Sequence, residues 1–287
     1  MLGLLLAALL GDPWRRVGAG GAFAAAAMFM TCPAFAAPPG DAASWTPIFA
    51  DEFSAPALDT AKWTVCYWWN EDGCTNKGNH EMQWYVPDGV SVADDLLHLT
   101  ATQRLAKDRQ GNTYPFSSGM VTTGHDGRPD DAADRFSFTY GYVEVRAKLP
   151  SGKGLWPAIW LLPSSHESLP EIDMAELLGD TPELLRLHYH YKSSGKSESA
   201  GKTVTQSDLS LDWHVYGMDW EKGAIVWYLD DVEQWRYTDQ ATISGEPMYL
   251  LLNLAVGGDW PGPPDDSTSF PAAMLVDYVR VWTRGTQ

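Results

Sequence analysis

Three carboxylates lie close together in Glu171-Ile-Asp173-Met-Ala-Glu176. Acids this near can divide a proton among themselves, because like charges raise one another's pKa. Cleavage of a glycosidic bond needs that equipment: one carboxyl group protonates the leaving oxygen while a second meets the anomeric carbon. The third acid, lying between them, can hydrogen-bond to one and hold their pKa values apart. The chain has 37 acidic residues, so spacing alone favours a solvated acidic face over catalysis.

Conformation decides what the three acids can do together. On a strand, Glu171 and Asp173 share a face, because side chains alternate with period two. Glu176 would point the other way unless one extra residue is absorbed as a β-bulge. Local signals compete with this reading. Ser168 resembles a helix cap, Pro170 follows early, and good helix formers run to Gly179. On these rules alone, Leu169–Leu178 is a short helix.

The elements around the acids carry strand signals. Tyr142–Leu149 alternates apolar and charged residues and describes a half-buried strand. Leu96–Thr102, Ala224–Leu229, Met248–Val256 and Met274–Trp282 are further apolar or β-branched runs, punctuated by glycine and proline. Long stretches of helical period are absent. Many short strands of this kind imply an all-β antiparallel sandwich or jelly roll.

Composition bounds the rest. The 287 residues supply enough apolar material for one sizeable core. Residues 1–36 read as a signal peptide: Arg15 and Arg16 precede the apolar Gly18–Thr31 run and an Ala34-Phe35-Ala36 cleavage box. Residues 37–46, rich in Pro, Ala and Gly, read as a linker, and residues 47–287 as a single domain. Neither apolar run near the N-terminus is long enough to span a membrane, so a secreted chain with no membrane attachment after cleavage is expected. The net charge of −17 argues against nucleic acid, which needs a basic footprint. Cys66 and Cys74 would survive cleavage as an even pair in an oxidising compartment, and a disulfide between them is expected. Two inert buried thiols are the alternative.

The acid segment resembles the active-site motif of family 16 glycoside hydrolases, in the bulged form of the laminarinase and lichenase type. Other stretches carry the same resemblance in order: Gly78-Asn-His-Glu-Met-Gln-Trp-Tyr85, Tyr140–Gly152, Gly154-Leu-Trp-Pro-Ala-Ile-Trp-Leu-Leu-Pro163, Leu252–Gly262 and Asp277-Tyr-Val-Arg-Val281. The resemblance covers Phe49 to Trp282. It implies a curved, concanavalin-like jelly roll with a glycan groove, which would override the helix reading. It also implies Glu171 as nucleophile, Glu176 as general acid/base and Asp173 as the assisting carboxylate.

The resemblance extends to supporting residues. Trp156 and Trp160 would offer flat faces to sugar rings, core packing being the alternative for both. Trp260, beside Gly257-Gly258, is a further candidate platform. His190 would contact a catalytic carboxylate or the sugar, and His188 shares its strand phase. Asn79, Glu81 and Gln83 would contact hydroxyls or serve turn hydrogen bonds. Glu52 and Asp277 resemble positions around a structural calcium, and no cofactor is expected for catalysis. The implied activity is that of a monomeric, retaining endo-β-glucanase on β-1,3 or mixed β-1,3/1,4 glucan. Depolymerisation or transglycosylation of a bacterial exopolysaccharide is the alternative. A glucan-binding lectin on the same fold would not need the acid pair.

Overall fold

A computed structural model describes residues 38–66, 73–125 and 133–285. The expected signal peptide lies outside them. The expected linker at 37–46 is partly built into the fold. Ala42–Ser44 forms a 3-10 turn capped by Asp41, and the first strand starts at Trp45. The Trp45 indole is buried and donates to Pro39 O at 3.1 Å. An aromatic side chain that can be covered stays with the core rather than with a solvated linker.

Two antiparallel sheets pack face to face as a jelly-roll sandwich. One runs in the order Val232–Tyr237, Ala224–Leu229, His214–Glu221, Gly141–Lys148, Ala272–Arg284, Leu96–Ala101, Val90–Ala93. Its long Ala272–Arg284 strand serves two neighbours in tandem: Ala272–Val276 pairs with Leu96–Ala101, and Val279–Arg284 pairs with Trp45–Asp51. The second sheet runs Lys196–Thr205, Leu184–Ser193, Glu171–Glu176, Leu155–Pro163, Met248–Val256, Met120–Thr122. Among the described residues, helix is confined to three single 3-10 turns.

Alternation along the strands builds the core. Val143, Val145 and Ala147 of the first sheet face inward, as do Ile159, Leu161, Leu185, Leu187, Leu250, Leu252 and Leu254 of the second. Trp63, Trp220 and Trp227, three of the fourteen tryptophans, are fully buried here. The Gly141–Lys148 strand departs from the expected half-buried pattern, because Glu144 on its outer face is fully buried. Tyr278 Oη donates to it at 2.6 Å, and the Arg280 guanidinium Nη1 stands 3.9 Å away. Burial is tolerated because partners replace the lost water.

The helix expected over Leu169–Leu178 does not form; Glu171–Glu176 is an interior strand paired on both sides. Its Ile172, Met174 and Ala175 enter the shared core, and that burial outweighs the few tenths of a kcal/mol per residue that local propensity offers.

Candidate active site

The Glu171–Glu176 strand carries the bulge that the acid spacing requires. Opposite Leu155–Pro163, Asp173 aligns with Trp160 and Ala175 with Ile159, so one residue is extra. On the other side, Asp173 aligns with His188 and Glu176 with Arg186, three residues against two. Met174 and Ala175 both turn to the core, and Glu171, Asp173 and Glu176 emerge together on the opposite face. Trp227 of the facing sheet braces this irregularity through the core: its indole Nε1 donates to the Asp173 carbonyl at 2.9 Å.

The three acids floor a cleft of about 590 Å³, lined also by Trp156, Trp160, Trp260, His188, His190 and Asn253. Glu176 is held at both oxygens. Trp156 Nε1 donates to Oε1 at 3.1 Å, and His188 Nδ1 lies 2.8 Å from Oε2. His190 stands over the other two acids, its Nε2 3.2 Å from Asp173 Oδ2 and 3.7 Å from Glu171 Oε1. The approach to Asp173 Oδ2 is not aligned as a hydrogen bond, and that oxygen has no other partner.

Burial, followed by repulsion from Asp173, pushes the Glu171 carboxyl well above the usual carboxylate range; His190 opposes the shift. Burial and the neighbouring Glu176 push Asp173 up in the same direction. The triad therefore holds at least one proton under conditions where isolated carboxyls would all be ionised. Asp173 keeps only 5 % of its side-chain surface, against 28 % for Glu171. Asp173 is the more deeply buried of the two, and Glu171, open to the cleft, has His190 beside it to support a charge.

Trp260 closes the wall. It meets Trp156 edge to face at 5.3 Å, and the Arg186 guanidinium lies 5.4 Å from its ring. Asp259 N donates to Asn79 O at 2.9 Å. A Cβ on Gly257, at φ +70°, would lie 2.4 Å from the Met82 sulfur, so the glycine permits this close approach. Asn79 and Glu81, from the segment packed against this loop, line the same cleft. Glu81 accepts from Asn79 Nδ2 at 3.1 Å and Gln83 Nε2 at 2.6 Å, and burial raises its pKa to about 7 against those hydrogen bonds.

Most of the site residues expected from sequence meet at this cleft. Trp156 and Trp160 both line it; Trp160 also packs against the small core cluster that holds Trp84, Tyr85 and Leu162, and its indole donates to Asn253 Oδ1 at 2.7 Å. His188, the secondary candidate, makes the shorter carboxylate contact. Sequence reasoning missed Asn253, whose amide also donates to Tyr85 Oη at 2.9 Å. Its position inside the Leu252–Gly262 stretch was the available signal. It also missed Ser168, Asn76 and Ala255 in the cleft wall. Cys66 and Cys74 are disulfide-bonded, with Cα atoms 4.9 Å apart.

Glu52 and Asp277, read from sequence as calcium ligands, are each paired with an arginine. Glu52 accepts both nitrogens of the Arg280 fork at 2.8 and 2.7 Å, and Asp277 pairs with Arg146. Each negative charge is already neutralised by a guanidinium, which leaves little attraction for a hard cation. In the cleft, Asp173, His188 and His190 bring ligand atoms within 4.8 Å of one another, but the two histidines are engaged with the acids.

Fold and site together define a class: jelly-roll proteins with a carboxylate-floored, aromatic-walled glycan cleft. Residues 78–280 match the model for glycosyl hydrolases family 16, and the chain belongs to that family. It is 36% identical over 252 residues to the endo-1,3-1,4-beta-glycanase EglC of Rhizobium meliloti, across 83% of this chain and 52% of the relative. The chain thus spans about half the length of that protein. It is 30% identical to a beta-glucanase of Rhodothermus marinus, across 83% of this chain and 85% of the relative. The laminarinase catalytic domain of Thermotoga maritima superposes with a TM-score of 0.73 at 30% identity, covering 85% of this chain and all of that domain.

Proposed function

We propose that this protein is a retaining endo-β-glucanase acting on β-1,3 or mixed β-1,3/1,4 glucan. The carrying observation is the bulged strand that presents Glu171, Asp173 and Glu176 on one face of the cleft. Retaining enzymes keep their two carboxyls about 5 to 5.5 Å apart. Glu171 and Glu176 share one face of a single strand and line one cleft, which lets their carboxyls approach on that scale. The names of the relatives, a 1,3-1,4-glycanase and glucanases acting on β-glucan, favour the same substrates.

In the first step, ionised Glu171 attacks the anomeric carbon, and Glu176 gives its proton to the departing glycosidic oxygen. The bond to the leaving sugar breaks as the glycosyl–Glu171 ester forms. Glu176, now a base, takes a proton from water, whose oxygen displaces Glu171 and restores the original anomeric configuration. Trp156 and His188 hold Glu176 in place for both transfers. Asp173, carrying its proton, adds no second negative charge beside the nucleophile.

Export accompanies this reading, supported by the Ala34-Phe35-Ala36 cleavage box and by the disulfide, which persists in oxidising compartments. The test is hydrolysis of laminarin and mixed-linkage glucan, with the anomer of the first product followed by NMR. Retention is expected. Glu171→Gln should abolish turnover yet bind glucan, and azide should rescue Glu176→Ala on an activated substrate. Inversion, or substantial turnover by Glu171→Gln, would exclude the mechanism.

A further inference from the structure

Away from the cleft, three side chains from separate segments converge. His125 follows the Met120–Thr122 strand, Asp134 lies just before Phe136, and His166 occupies the turn ahead of the catalytic strand. His125 is buried, its Nε2 2.5 Å from Nε2 and 3.0 Å from Nδ1 of His166. His166 Nε2 stands 3.8 Å from Asp134 Oδ1. One ligand atom from each residue lies within 4.8 Å of the others. The Asp134 side chain is only 10 % exposed, and its Oδ1 is buried without a hydrogen-bond partner among the described residues. A carboxylate oxygen stripped of water and left unbonded is costly, and this one faces the imidazole pair. His166 also sits at φ 65°, a left-handed backbone uncommon for a residue with a side chain.

We propose that His125, Asp134 and His166 form a binding site for a divalent first-row transition metal of the zinc class. Two imidazoles and a carboxylate are its usual ligands, whereas calcium asks for six or more oxygens. In a tetrahedral zinc shell with bonds of about 2.0 to 2.2 Å, ligand atoms stand roughly 3.3 to 3.6 Å apart. The separations of 2.5 and 3.8 Å around His166 Nε2 bracket that range, so small side-chain rotations complete the shell. A water takes the fourth position.

The two sides of the site are anchored separately. Phe136 N donates to Thr123 O on one side, and Ser164 N donates to Pro247 O on the other. A metal would clamp these segments together. Ser168, two residues after His166, lines the cleft, and Glu171 opens the catalytic strand. The metal thus fixes the entry to the strand that carries the acids while touching none of them.

The test is zinc binding to full-length protein stripped with EDTA and dialysed, followed by calorimetric titration, elemental analysis and thermal melting. One zinc per chain at this site and a higher melting temperature are expected. His166→Ala and Asp134→Ala should each weaken binding by at least about 100-fold, since losing a direct ligand exceeds the 10- to 100-fold cost of losing its outer support. Their circular dichroism should match that of the unaltered protein. His188→Ala, which disrupts the other histidine group, should keep the wild-type zinc affinity. No zinc uptake by the wild type would overturn the proposal. So would zinc binding that survives His166→Ala and Asp134→Ala and disappears with His188→Ala.

Discussion

Replacing Gly201 by alanine should cost turnover while sparing stability. Gly201 lies opposite His188 on the edge strand. A Cβ built on it falls 2.3 Å from His188 Cδ2 and 2.9 Å from Nε2. Carbon atoms settle at about 3.5 Å, so the imidazole must retreat by roughly 1.2 Å. Its Nδ1 is 2.8 Å from Glu176 Oε2, and a displacement of that size takes the contact out of hydrogen-bonding range. A misplacement of about 1 Å costs on the order of 100-fold in rate, or about 2.7 kcal/mol of barrier. The strand is exposed at Gly201, so the stability change should stay within about 0.5 kcal/mol, a melting shift of no more than about 2 °C. Steady-state kinetics on soluble glucan, thermal melts and the His188→Ala/Gly201→Ala double variant form the assay. We expect kcat to fall about 100-fold with KM nearly constant. The double variant should be no slower than His188→Ala alone, because both changes act on one contact. Full activity in Gly201→Ala, or losses that multiply in the double variant, would refute the reasoning.

Two further perturbations probe the same machinery. Trp227→Phe keeps a buried ring but removes the donor to the Asp173 carbonyl. Orphaning that carbonyl should cost about 1 to 3 kcal/mol and lower kcat by loosening the bulge; unchanged melting and kcat would show that the bulge needs no brace. Glu81 has a folded pKa of about 7, above its unfolded value of 4.5. Its contribution to stability is therefore complete below about pH 4.5 and is lost as pH rises through about 7. The melting-temperature advantage of wild type over Glu81→Gln should shrink from pH 5 to pH 8. At about 1.4 kcal/mol per pKa unit the change is at most about 3 kcal/mol, less whatever solvent in the cleft screens. An advantage that grows with pH would reverse the sign and refute the burial argument.

Much of the chemistry was present in the order of residues. The acid spacing demanded a bulge, period-two runs announced the strands, and the stretch from Gly154 to Pro163 placed two tryptophans on one face. These are local properties, because alternation and bulge counting need only neighbouring positions. Local signals also misled at Leu169–Leu178, where helix propensity is intrinsic and the burial of Ile172, Met174 and Ala175 depends on strands from elsewhere in the chain. Only the tertiary structure made His188 rather than His190 the partner of Glu176, because strand register selects which ring reaches which carboxylate. It alone revealed Asn253 behind Trp160, Trp227 behind the bulge, and the arginines paired with Glu52 and Asp277. Each is a contact between residues far apart in sequence. By itself, then, the sequence determined which groups could do chemistry and on which strand they lie. Packing two sheets face to face decided which of them meet and which are buried.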